Sequence, residues 1–257
     1  MGTLIPISQE PGYWTRPNAR SLTLAQFTDI ELSRMNAVPR IPIAGKYKPG
    51  RLLRYMLDHK DELNIPKGLW LEFGVWSGSS INTIAEHTRR AVFGFDSFQG
   101  LPEDWDRGFG QFEKASAFDR GGVMPEVADN VVLIKGWFDQ TLPPFLQIAH
   151  EPIAFMHVDC DLYSSTKTIF DALGARLQAG TVIVFDELVS YTSWEQGEWK
   201  ALYELCMQTG MQFDWIGKIG DIIRHFDEFI SIKDVRERYG VDPEAALIVR
   251  EPGRPST

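Results

Sequence analysis

The chain is predicted to fold as an α/β protein: a mostly parallel, Rossmann-like sheet with an N-terminal helical appendage. Three observations predict it. Short apolar runs at 69–73, 91–96, 131–134, 153–159 and 181–185 alternate with stretches of helical spacing, the pattern of a parallel sheet covered by helices on both faces. The first run passes through Glu72-Phe73-Gly74-Val75-Trp76-Ser77-Gly78 into a helical stretch, Ser79 to His87. That is a buried strand, a tight turn and a helix start, the unit that builds small-molecule sites at the carboxyl edge of such sheets. Finally, three of the runs end in carboxylates: Asp96, then Asp159 and Asp161, then Asp186 and Glu187.

Residues 21–32 read as a helix after a Pro/Asn-rich lead. The segment 38–50 holds three prolines and the basic residues Arg40, Lys46 and Lys48, and reads as an irregular loop. Leu52, Leu53, Met56 and Leu57 give a helical spacing over 51–63 that ends before Pro66. Beyond the first strand, helices are expected at 165–177 and 195–208. Strands are expected late in the chain at 211–215, 217–223, 229–232 and 246–249. The segment 97–130 interrupts the alternation with glycines, acids and the aromatics Trp105, Phe109, Phe112 and Phe118. So long a loop in a compact domain is usually functional, and with 38–50 it is expected to close over the sheet edge. Residues 251–257 read as a disordered tail.

Composition narrows the partners. A net charge of −9 and a pI near 5.1 argue against nucleic acid or an anionic membrane surface. No apolar run approaches a membrane span. The first residues lack a basic region followed by an apolar core, and Pro6 stands where a myristoylation signal wants Ser or Thr. Two cysteines, Cys160 and Cys206, make neither a disulfide framework nor a zinc site unaided. A cytoplasmic protein and a small-molecule partner are expected.

The glycine spacing selects the ligand. A dinucleotide fingerprint needs a third-position glycine where this chain has Trp76, whose indole blocks the approach to a pyrophosphate. An acidic-x-Gly-x-x-x-Gly turn suits a cofactor without phosphates, such as S-adenosylmethionine. Asp96, 22 residues beyond Gly74, is placed to accept both hydroxyls of a ribose. Side chains alternate along a strand, so His157 and Asp159 share a face, with Asp161 at or past the strand end. Adjacent parallel strands would bring Asp159, Asp161, Asp186 and Glu187 to one edge. Four carboxylates there repel one another unless a cation joins them, and oxygen ligands suit Mg²⁺, Ca²⁺ or Mn²⁺. N-capping by Asp161 and Asp186, and a core role for His157, are the structural alternatives.

The motifs Glu72-x-Gly-x-Trp-x-Gly, Asp96-Ser-Phe-Gln-Gly-Leu-Pro, Gly136-Trp-Phe-x-x-Thr-Leu-Pro and Asp159-x-Asp-Leu-Tyr-x-Ser-Thr, then the Asp186 strand end, occur in that order. Over roughly residues 66 to 200 the chain resembles the macrocin O-methyltransferase family, class I S-adenosylmethionine enzymes that methylate sugar hydroxyls of natural products. The resemblance implies cofactor contacts from Glu72, Gly74, Val75, Trp76, Gly78, Asp96, Ser97, Gly136, Trp137 and Asp159. It implies Mg²⁺ or a similar dication on Asp159, Asp186 and Glu187, with Asp161 as base; should Asp161 not be the base, His157 is the next candidate. The family commonly has two aspartates where this chain has Asp186 and Glu187. It further implies a methyltransferase domain at 66–250 behind an appendage at 1–65, a sugar, glycoside or nucleotide-sugar acceptor, antibiotic biosynthesis as context, and a homo-oligomer. A phenolic acceptor, or a non-catalytic cofactor-binding protein of the same fold, are the rival readings.

Overall fold

The computed structural model describes residues 21–38, 41 and 51–251. The loop cations Arg40, Lys46 and Lys48 and the tail beyond Glu251 lie outside the described residues. Helix α1 (Leu24–Ala37) begins with a capping box, in which the Thr23 side chain accepts from the Gln26 N–H and Gln26 reaches back to the Thr23 N–H. It is followed by α2 (Arg51–Asp58), the single-turn α3 (Lys60–Leu63), β1 (Leu69–Phe73), α4 (Ser79–Glu86) and β2 (Val92–Asp96). A small hairpin, β3 (Trp105–Gly108) and β4 (Gln111–Glu113), precedes β5 (Val131–Lys135) and α5 (Phe138–Ile148). The chain then runs through β6 (Ile153–Val158), α6 (Tyr163–Leu173), β7 (Leu177–Phe185), α7 (Glu198–Thr209), β8 (Gln212–Lys218), α8 (Ile232–Tyr239) and β9 (Ala245–Glu251).

Seven strands form one sheet in the order β5-β2-β1-β6-β7-β9-β8, parallel except for β9, which runs antiparallel to both neighbours. The order reverses between β1 and β6, so the crevice at their carboxyl ends is the place where such sheets bind ligands. This is the Rossmann-like class I methyltransferase arrangement. The apolar runs of its central strands β1 and β6 are buried because both faces are covered. One face packs Leu71, Phe73 and Met156 against α1, α5, α6 and α7. The other packs Trp70, Phe155 and Val184 against α2 and α4. Helix α1 is tied into the first face by side chains. Trp199 Nε1 donates to Thr28 Oγ1 at 2.9 Å, and Trp215 Nε1 donates to Glu31 Oε2 at 3.1 Å.

The strand expectations through residue 185 hold, with β7 starting earlier than expected. Other readings fail for local reasons. The runs 211–215 and 217–223 are not two strands: β8 spans the gap and ends at Lys218. The run 229–232 is no strand: Ser231 caps α8, its hydroxyl accepting from the Asp234 N–H, while Ile230 packs with Val235 and Val241. A four-residue apolar run cannot by itself distinguish a strand from a helix entry. Helix α5 carries Pro143 and Pro144 in its interior, and that pair hides it from a reading that ends helices at proline. Glu251, assigned to the tail, closes β9. Among the described residues no helix is long and apolar enough to cross a membrane.

Candidate functional site

The β1–α4 turn exists only because residue 74 is glycine. Its φ is +90°, and a Cβ built there would lie 1.6 Å from the Asp159 carbonyl oxygen. That contact presses the turn onto the end of β6, whose Asp159 N–H donates to the Phe73 carbonyl at 2.9 Å. Trp76, at φ +43°, holds the left-handed conformation without being glycine. It is fixed by Asp96, whose Oδ2 accepts from the N–H groups of both Val75 and Trp76 at 2.8 Å, while Oδ1 accepts from Phe98 N–H at 2.6 Å. The carboxylate expected at a ribose therefore also shapes the glycine turn. Each of its oxygens keeps lone-pair capacity for a further donor.

A cavity of about 770 Å³ opens at this edge. It is lined from β1 and β2 by Gly74, Trp76, Asp96 and Ser97, from the β5 end by Gly136 and Trp137, and from the β6 and β7 ends by Asp159, Asp161, Asp186 and Glu187. Most of the expected site residues thus meet in one cleft. Four do not line it. Val75 is buried beside Gly94, Gly78 lies against Pro125 and Val127, and Glu72 and His157 sit beneath the edge. Glu72 and His157 are register partners on β1 and β6, and His157 Nδ1 and Glu72 Oε1 are hydrogen-bonded at 2.9 Å with both side chains buried.

The acids crowd as expected. Burial, then the carboxylates of Asp186 and Asp161, pushes Asp159 well above the usual carboxylate range. Glu187 is raised well above it by burial, Asp186 and Asp161. Asp161 is pushed up to about 7, chiefly by burial and then by Asp186, against the Arg107 guanidinium, which pulls it down. Carboxyls pushed up by burial and by one another's charge are the sites a cation would discharge. One ring nitrogen of His157 and one oxygen each of Asp159 and Asp186 lie within 4.8 Å of one another, a donor set that fits a dication. Glu187 falls outside that trio and lines the cleft with Asp161. Neither acid expected as a possible cap plays that part: α6 starts after Leu162 without a side-chain cap, and Asp186 lies in the cleft.

Asp161 stands at φ +64° and is almost fully buried. The turn bearing it is backed by Glu198, a buried α7 residue whose Oε1 accepts from Cys160 Sγ at 3.8 Å. Sequence spacing gave no signal for Glu198, or for Arg107, which the β3–β4 hairpin carries over the Trp105 ring at 3.8 Å. It also missed Glu103, Ser164 and Arg236 in the cleft wall, where Ser164 Oγ donates to Glu103 at 2.5 Å. The aromatics expected at the acceptor need correction. Trp105 is buried against Tyr191, Phe109 borders a separate small pocket, and Phe112 is exposed outside the cleft. The cleft instead has Trp76 and Phe118, edge to face at 5.9 Å and both exposed, with Trp137 and Phe138 across it.

Residues 71–188 match a family model described as a methyltransferase domain. Demethyldecarbamoylnovobiocin O-methyltransferase of Streptomyces niveus is 28% identical over 144 residues, 48% of this chain and 53% of the relative. The 8-demethyl-8-(2,3-dimethoxy-alpha-L-rhamnosyl)-tetracenomycin-C 4'-O-methyltransferase of Streptomyces olivaceus is 29% identical over 137 residues, 46% of this chain and 51% of the relative. The chain thus spans about half the length of these curated relatives. The solved structure of a calicheamicin methyltransferase is similar in fold, with a TM-score of 0.50 at 23% identity and 77% of each chain covered. The sheet order and the matched segment define a class I methyltransferase domain. Both curated relatives that residues of this chain match are O-methyltransferases.

Proposed function

We propose that the protein is an S-adenosylmethionine-dependent O-methyltransferase that methylates a sugar or glycoside hydroxyl with the help of Mg²⁺ or a similar dication. The observation that carries this reading is the meeting, in one cleft, of the Gly74 turn and Asp96 with the carboxylates of Asp159, Asp161, Asp186 and Glu187. The activities of the two Streptomyces relatives, one of them on a rhamnosyl group, support the acceptor class.

In this reading the Gly74 turn, which lines the cleft, receives the amino-acid end of the cofactor. Asp96 accepts from the ribose hydroxyls. Gly136 and Trp137, at the start of α5, border the adenine. A sugar hydroxyl is a poor nucleophile at neutral pH, and a dication at the strand ends would stabilise its developing negative charge. Asp159 and Asp186 would hold the dication in place. Asp161, beside them in the cleft, takes the hydroxyl proton. The sheet edge fixes the oxygen in line with the sulfonium methyl, and positioning supplies much of the rate.

Calorimetric titration with S-adenosylhomocysteine, followed by thermal-shift screening of nucleotide sugars, glycosides and phenols with and without Mg²⁺, tests the reading. Cofactor-product binding with stabilisation by a sugar compound is expected. Failure to bind S-adenosylhomocysteine would overturn it, and stabilisation by phenols alone would move the acceptor to that class.

A further inference from the structure

We infer that His157 is a nitrogen ligand of the cation site, oriented by Glu72, and that the site therefore selects Mn²⁺ or a similar transition-metal dication over Mg²⁺. The inference rests on the reading above that a dication sits at the β6 and β7 ends. It adds a ligand that the resemblance does not supply.

The first observation is the state of the imidazole. His157 is 1% exposed, and its Nδ1–H is used by Glu72. Its Nε2 is buried with no hydrogen-bond partner. A buried, unsatisfied ring nitrogen costs about 1–3 kcal/mol, and buried polar atoms are seldom left so. The Glu72 bond leaves Nε2 as the ring nitrogen without a partner. When Nδ1 donates to an ionised Glu72, Nε2 presents a lone pair, the form in which histidine binds metal.

The second observation is distance. A ring nitrogen of His157 and the carboxylate oxygens of Asp159 and Asp186 all fall within 4.8 Å of one another, yet Nε2 bonds to neither acid. A protonated Nε2 beside a carboxylate would close to hydrogen-bond distance. A gap that does not close is what a shared ion requires. With ligand bonds of about 2.1 Å, neighbouring ligands stand about 3.0 Å apart and opposite ones about 4.2 Å.

The third observation is the support. A ligating histidine commonly donates its other N–H to a carboxylate, which fixes the tautomer and strengthens the ligand. Glu72 does this from the neighbouring strand, in direct register with His157. Two carboxylates and an imidazole make a mixed set. Mg²⁺ favours oxygen alone, whereas Mn²⁺, Fe²⁺ and Co²⁺ accept nitrogen as well.

The test is pulsed electron paramagnetic resonance on Mn²⁺-loaded wild-type protein, with natural histidine and with histidine labelled with ¹⁵N. Nitrogen modulation from a directly bound imidazole is expected, changing to the ¹⁵N pattern on labelling. Mn²⁺ should bind at least tenfold more tightly than Mg²⁺ by calorimetry. Glu72→Gln should weaken Mn²⁺ binding about tenfold to a hundredfold, and His157→Gln should abolish the preference over Mg²⁺. Mn²⁺ binding without nitrogen coupling overturns the role of His157 and leaves the dication reading intact. No binding of either ion overturns both. Because the spectrum is read on the unmutated chain, misfolding of a variant cannot obscure the outcome.

Discussion

Replacing Asp161 by Asn should make the metal-free protein more stable while removing its activity. Asp161 titrates near 7 in the folded protein, against an ordinary 3.8. A carboxyl with a raised folded pKa keeps its proton in the folded state where the unfolded chain has released it. Stability therefore falls as pH rises from about 4 to about 7 and levels off above. At roughly 1.4 kcal/mol per pH unit, the displacement corresponds to about 4 kcal/mol of lost stability above pH 7. Asn removes that loss and keeps the shape. It also tolerates the φ of +64° that most residues would resist. Each kcal/mol moves the melting temperature of a chain this size by about 2–4 °C, so a gain of about 10 °C is expected at pH 8 in EDTA. The gain should shrink toward zero near pH 4. Calorimetric melts of both proteins at several pH values between 4 and 8 measure it. A variant no more stable than wild type at pH 8, or a gain independent of pH, would refute the reasoning. Methyl transfer should fall by about two to four orders of magnitude, the range a general base supplies, with S-adenosylhomocysteine affinity unchanged.

Three further outcomes are expected. Gly74→Ala should abolish S-adenosylhomocysteine binding in calorimetry and lower the melting temperature, because its Cβ would meet the Asp159 carbonyl oxygen and its φ is +90°. Asp96→Ala frees three backbone N–H groups of the turn and the β2 end. It should cost about 2 kcal/mol in denaturant melts and weaken cofactor binding at least tenfold. The affinity of the site for dications should rise with pH through about 7, because protons on the raised carboxyls compete with the ion; Mn²⁺ titrations at pH 6 and 8 would show it.

The sheet was legible because buried parallel strands write themselves as apolar runs between turn residues, and 69–73 and 153–158 carry that signature without interruption. The strand-end acids were legible for the same reason: once the strands are placed, Asp96, Asp159 and Asp186 follow at their carboxyl ends. What escaped depends on packing between distant segments. Glu198 reaches the Cys160–Asp161 turn from a helix whose sequence reads as ordinary surface periodicity. Arg107 faces Asp161 only because the hairpin folds back with Trp105 seated on Tyr191. The aromatics of 97–130 were visible as a set, but which of them faces the cleft depends on that hairpin, and it turns Phe118 inward instead of Phe109 or Phe112. Asp96 was assigned one role, and its two bonds to the glycine turn require the three-dimensional approach of β2 to β1.

The central claim, that this sheet edge moves a methyl group to a hydroxyl with a dication held by Asp159 and Asp186, is tested most directly by label transfer. The full chain would be incubated with S-adenosylmethionine carrying an isotopically labelled methyl and a panel of nucleotide sugars, glycosides and phenols. Product mass would be read with Mg²⁺ or Mn²⁺ present and again in excess EDTA. The account predicts one labelled methyl on a sugar hydroxyl with the metal, none in EDTA although S-adenosylhomocysteine still binds, and none from Asp159→Ala or Asp186→Ala in either condition. Transfer at the full rate by metal-free protein, or by either alanine variant, would contradict it.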